Sequence, residues 1–309
     1  MADFRNYSPE DVICANLQET AARLGLIDEQ DRAHLRELAS ELTKDSNGPR
    51  ELIASLPDLL PSMLFDSTQT IELSRNTARR VTLCREIATQ IVPDGRLSLE
   101  WFLPEPDGDA SEPERIAYQR SSYADTAYFR FLPFLSDPRA VYTHSFPAAC
   151  EEVYNGLCEF CILPLENSSE GPLSSFTRLI DRFGLRIAAT ADVTATDGSR
   201  TTRFALLHRG NLPLLNIGSE PRHLEVSVRF DGTHTLAELM LAAELCGLSL
   251  LHIDTRNDPD GTDSRLHPVL KATDDRLALF LLYLATNPCQ YEIVGLYPHL
   301  PDGATRALP

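Results

Sequence analysis

Between residues 9 and 91 the apolar positions recur three and four apart, the period of a helix that buries one stripe. Four stretches carry it: DVICANLQETAARLGL, DEQDRAHLRELASELTK, RELIASLPDLLPSMLF and TIELSRNTARRVTLCREIATQIV. Ser8, with the acidic Asp11 three places on, forms a cap for the first of these. The second opens on acids and closes on Lys44, the order the helix dipole favours. Pro57 and Pro61 interrupt the third. No period-two alternation occurs here, so residues 1–92 are expected to form an all-α domain.

The pattern changes after a segment at residues 93–114, which holds a short apolar piece around Trp101 and then turns acidic and proline-rich, as a linker does. From Arg115 onward short apolar runs alternate with helical ones, the α/β arrangement. RIAYQ, AVYTH, CEFCILPL, LRIAATADV and TTRFALLHR read as strands of a second domain over residues 115–212. Only TATDGSRT, residues 194–201, separates Val193 from Thr202. A βαβ crossover needs roughly a dozen residues or more, so this polar run centred on Asp-Gly predicts a hairpin or hinge loop. Residues 213–309 give a final unit of strand LEVSVRF, helix TLAELMLAAELCG, strand LSLLHIDTR, helix DDRLALFLLYLAT and strand YEIVGLY.

Composition narrows the chemistry. The formal net charge of −17 repels phosphate, which argues against nucleic acid and anionic membrane surfaces as partners. An anionic ligand would have to be captured by local arginines. No apolar run approaches the ~20 residues that span a bilayer. MADFRNYSPEDV has neither the basic stretch nor the apolar core of a signal peptide, and seven scattered cysteines suit a reducing compartment, so a cytoplasmic location is expected. Cys158 and Cys161 form a CxxC. Residues three apart in a strand point to opposite faces and no second CxxC completes a ligand set, so no metal site is expected.

The densest polar run ends a buried strand: CILPLENSSEG, residues 161–171. Ser168 or Ser169 would cap the following helix PLSSFTRLIDRFG, with Glu170 in its first turn. That leaves Glu166 and Asn167 at a strand end, where open α/β sheets place their ligands. EFCILPLENSSEG, residues 159–171, resembles the signature strand of prephenate dehydratases. Thr202, Arg203 and Phe204 are similar to that family's threonine–arginine–phenylalanine strand, and RIAYQ to its opening strand. HIDTR at residues 252–256 and IVGLYP at 293–298 resemble parts of the regulatory ACT domain that follows in the family.

The resemblance implies a multi-domain protein: an all-α N-terminal domain, a truncated α/β lobe of periplasmic-binding-protein type, and a C-terminal α+β ACT-like domain of ferredoxin type with the order βαββαβ. It implies decarboxylating dehydration of prephenate to phenylpyruvate, in phenylalanine biosynthesis, with no metal or organic cofactor. Thr202 and Asn167 would be catalytic, and Glu166, Ser168, Ser169 and Arg203 would bind substrate. Gly232, His234, Thr235 and Leu236, with Asp254, Thr255 and Arg256, fall at the ACT ligand loop and turn, and that domain implies a homodimer. The N-terminal helices occupy the position of a chorismate mutase, for which Arg23, Asp28, Arg36, Lys44, Arg79 and Arg80 are the candidate residues.

Two departures bear on function. RIAYQ is followed by RSSYADTAYF in place of the family's glycine-rich loop, and the short 194–201 connection leaves no chain for the second lobe that faces the first across the cleft. Three readings therefore stay open: a prephenate dehydratase whose cleft another element completes, a non-catalytic member that binds prephenate or an aromatic amino acid and regulates a partner, and a structural subunit without a small ligand.

Overall fold

The computed structural model describes residues 27–44, 46, 48–60, 70–105, 114–211, 220–229, 236–257, 264–286 and 290–300. The first expected helix, with its cap at Ser8 and Asp11, lies outside them. The described chain combines helices with a mixed sheet, an α/β fold. It divides into two compact units: residues up to Pro104 with Leu224–Ile293, and Glu105–His223 with the residues from Val294 on.

The first unit holds α1 (Glu29–Lys44), α2 (Pro49–Leu59) and α3 (Thr70–Ile91). It also holds most of β7 (Arg222–Arg229), then α7 (Leu236–Leu245), β8 (Ser249–Asn257), β9 (Ser264–Ala272), α8 (Asp274–Thr286) and the start of β10 (Gln290–Leu300). From β7 onward the order is βαββαβ, with β9 as the fourth strand that this order requires. The helices of residues 29–91 were expected as a separate domain, but they pack in one unit with α7 and α8. The cause is α8, which is buried along Phe280–Thr286 and needs cover on more than one side. α2 and α3 supply it, with Leu52, Ile53, Leu56, Leu83 and Ile87 buried. Cys84 Sγ lies 3.7 Å from Thr286 Oγ1, and the Arg85 guanidinium donates to the Leu245 carbonyl at the end of α7.

The second unit is doubly wound. Its elements are β1 (Arg115–Gln119), α4 (Ser122–Phe131), β2 (Arg139–Thr143), α5 (Phe146–Tyr154), β3 (Phe160–Asn167), β4 (Gly171–Pro172), α6 (Ser174–Phe183), β5 (Arg186–Thr194) and β6 (Thr201–His208). The strand order is β2-β1-β3-β6-β5-β10. β1 runs parallel to β2 and β3, β6 antiparallel to β3 and β5, and β10 parallel to β5. One face packs Ile116, Tyr118, Ile162 and Phe204 against Ala124, Ala127 and Phe131 of α4. The other packs Ala117, Leu163 and Leu207 against Cys150 and Val153 of α5 and Ile180 and Phe183 of α6.

β5 and β6 form the hairpin that the Asp-Gly run predicts. Thr194 faces Thr201, Ala195 N donates to Arg200 O at 2.7 Å, and Gly198 takes a left-handed φ of 70°. RSSYADTAYF, by contrast, is no loop: Ser121 accepts a hydrogen bond from Ala124 N at 3.1 Å and caps α4. A second expectation fails at the CxxC. Cys158 precedes β3, so strand alternation does not govern it, and both Cys158 and Cys161 lie in the core under α5 beside Cys150.

Candidate functional site

Because β6 runs against β3 and β5, the ends of β3 and β5 and the start of β6 meet at one edge of the sheet. Asn167 pairs with Thr202 and Glu166 with Arg203 across β3 and β6, while Val193 and Asp192 face the same two residues from β5. The register slips between Pro164 and Glu166. A bulge of this kind puts neighbours that simple alternation keeps together on opposite faces. Asn167, Thr202 and Val193 share the α4 face. Glu166, Arg203 and Asp192 share the other.

On the α4 side, Asn167 is buried and its Oδ1 accepts from Ser169 N at 2.8 Å and Glu170 N at 3.2 Å. This closes the turn that leads through Gly171, at φ 72°, into β4. Ser168 ties the same turn to the hairpin: its N donates to Thr201 O at 2.9 Å and its Oγ accepts from Thr201 N at 3.0 Å. Contrary to the expectation from the sequence, neither Ser168 nor Ser169 caps the next helix. α6 starts at Ser174 after Leu173, which gives no side-chain cap. Ser169 is exposed, and Thr202 is half-buried with no hydroxyl hydrogen bond among the described residues.

On the other side Arg203 is committed. Its Nη1 donates to Glu166 Oε2 at 2.9 Å and its Nε to Asp192 Oδ1 at 2.9 Å. His299 Nε2 lies 3.3 Å from Asp192 Oδ2, and its Nδ1 lies 3.0 Å from Thr190 Oγ1. Its ring stacks on His223 with centroids 5.0 Å apart. Burial raises the Asp192 pKa, but hydrogen bonds and charge from His299 and Arg203 outweigh this and hold it at about 2. The Arg203 guanidinium is held above its ordinary value: burial opposes this, and the Asp192 hydrogen bond and charge prevail. Sequence reading singled out Glu166 and Arg203 but missed Thr190, Asp192 and His299. The available signal was polar Thr190, Asp192 and Thr194 at alternate positions of one strand.

The remaining candidates lie in the first unit. Leu236 opens α7, and Asp254, Thr255 and Arg256 on β8 pair with His267, Leu266 and Arg265 of β9. Gly232, His234 and Thr235 lie outside the described residues, as does Arg23. Of the mutase candidates, Asp28 accepts from Asp31 N at 2.7 Å at the start of α1. Arg36 and Arg79 are paired with Glu86 and Asp31, both at 3.3 Å, and Arg80 is buried. Lys44 ends α1. Among the described residues no helix is long and apolar enough to cross a membrane, and no group of three or more His, Cys, Asp or Glu side chains is placed to hold a metal ion.

No protein-family model matches this chain, and no curated protein does. Among solved structures it is similar to a prephenate dehydratase from Streptococcus mutans, with 18% identity over 60% of this chain and 99% of that one and a TM-score of 0.49. It is also similar to GqqA, described as a novel type of quorum quenching acylase, with 20% identity over 62% and 96% and a TM-score of 0.45. A prephenate dehydratase from Arthrobacter aurescens in complex with L-Phe gives 15% identity over 63% and 93% and a TM-score of 0.46.

Proposed function

We propose that this chain is a non-catalytic relative of the prephenate dehydratases that binds prephenate or an aromatic amino acid at the strand ends of its second unit and regulates a partner. The ENSSEG and threonine–arginine–phenylalanine motifs support the ligand class. The observation that carries the non-catalytic part is the turn at residues 195–200, which joins β5 to β6 where a second lobe would have to be inserted. Dehydration needs a donor at the leaving hydroxyl inside a site that excludes water and fixes its dipoles. The hairpin supplies no opposing wall. Arg203, moreover, already answers two carboxylates, so a substrate carboxylate at that point would meet an excess of negative charge.

The βαββαβ order from β7 onward supports an ACT-like module, with a homodimer formed through it. The test is incubation of the pure full chain with prephenate, followed by phenylpyruvate absorbance, in parallel with thermal shift against prephenate, phenylalanine and tyrosine. No phenylpyruvate is expected, with a melting-temperature rise for at least one ligand. A ligand at a hundred times its Kd adds about 2.7 kcal/mol, a shift of several degrees. Sustained phenylpyruvate release would make the chain a dehydratase, and no shift with any of the three would leave a structural subunit.

A further inference from the structure

The order β2-β1-β3 sets a topological switch point in the second unit. α4 carries the chain from β1 to β2 on one side, α5 returns it to β3 on the other side of β1, and the two helices cover opposite faces of the sheet. Ligands of open α/β sheets sit in the crevice beyond the strand carboxyl ends at such a point. Here the residue that follows β1 is Arg120, and those that follow β3 are Ser168 to Glu170.

Resting on the ligand class proposed above, we infer that Arg120, not Arg203, is the cation that takes the ligand's carboxylate. The two arginines differ in what they already hold. Arg203 is two-thirds buried between Glu166 and Asp192, with three of its nitrogens engaged. The Arg120 side chain is 68% exposed, and its one ion pair among the described residues is Nε to Asp125 Oδ2 at 3.6 Å. Asp125 is shared, since Tyr118 donates to its Oδ1 at 3.0 Å. The terminal nitrogens of Arg120 make no hydrogen bond among the described residues. Its Cζ lies 5.0 Å from the centroid of the Tyr142 ring, which itself packs edge-on against Tyr118 at 5.4 Å. This cation–π seat limits the side chain's freedom and leaves the planar fork open for a bidentate carboxylate. The other arginines near this edge are placed differently: Arg130 donates to the Asp192 carbonyl, and Arg200 lies on the β5–β6 turn.

The experiment is calorimetric titration of the full chain with prephenate and with L-phenylalanine, for wild type, Arg120→Gln, Arg120→Lys and Arg200→Gln. Arg120→Gln should weaken whichever probe wild type binds by about ten- to a hundredfold, the range of a charge-assisted hydrogen bond, with the unliganded melting temperature unchanged. Arg120→Lys should recover part of the loss, as a point charge without the fork, and Arg200→Gln should bind as wild type does. Wild-type affinity in Arg120→Gln, or a loss in Arg200→Gln alone, overturns the assignment while leaving the ligand class standing. Failure of wild type to bind either probe overturns the ligand class, and the role of Arg120 with it.

Discussion

His208 shows how a single buried group fixes a pH response. It closes β6 beside Phe160, 6% exposed, with Nδ1 buried and without a hydrogen-bond partner among the described residues. Burial pushes its pKa down to about 4; the nearby charge of Arg186 acts in the same direction and a backbone hydrogen bond with Arg209 opposes it. The unfolded chain therefore takes up a proton near pH 6.5 that the folded chain refuses until about 4. Folding stability should fall as pH drops through that window, by about 3 kcal/mol in total. Urea midpoints measured between pH 7 and 4 should show this slope, and His208→Phe should flatten it. A slope unchanged in the variant would place the response elsewhere. Asp192 follows the same sign, because its folded pKa is likewise depressed, but in a more acidic window. Its carboxyl is held low, so its contribution is complete above the ordinary carboxylate range and is lost only in strong acid, as pH falls towards about 2.

Among the elements, the end of β10 is attached to β5 partly through a specific side chain. It pairs in parallel with β5 through Gly295–Ile187, His299–Thr190 and Leu300–Ala191, with a register shift between the first two pairs. A short parallel ladder with an irregularity is a weak attachment, and His299 reinforces it through Thr190 and Asp192. In His299→Ala the amides of residues 294–300 should exchange about five- to tenfold faster, while the β3–β6 ladder keeps its protection. Equal acceleration in both would mean that His299 supports the whole sheet rather than this strand. The β5–β6 hairpin needs no such help, because its turn chemistry is local and Gly198 supplies the left-handed residue.

At the scale of the whole molecule, each of the two units buries cysteines of its own. The described cysteines, Cys84, Cys150, Cys158, Cys161 and Cys246, are all buried thiols divided between both units. Burial pushes Cys84 up to about 12 and Cys158 up to about 11, so neither forms a thiolate at neutral pH. A thiol-specific reagent should label these five only as the chain unfolds; prompt labelling of the native protein at any of them would show that its unit opens. The sequence alone determined features whose causes lie within a few residues: helices from three-and-four spacing, strands from alternation, and the hairpin from a polar Asp-Gly run too short for a crossover. The family resemblance also singled out Asn167, Thr202 and Arg203 as candidates for one site. Only the tertiary structure decided what they face. The bulge before Glu166 turns it to the Arg203 side and Asn167 to the Thr202 side, Asp192 meets that arginine from β5, and His299 reaches Asp192 from β10. The joining of the N-terminal helices to α7 and α8 was equally hidden. Periodicity says that a face is apolar, but the partner that covers it is chosen by packing between segments far apart in the chain.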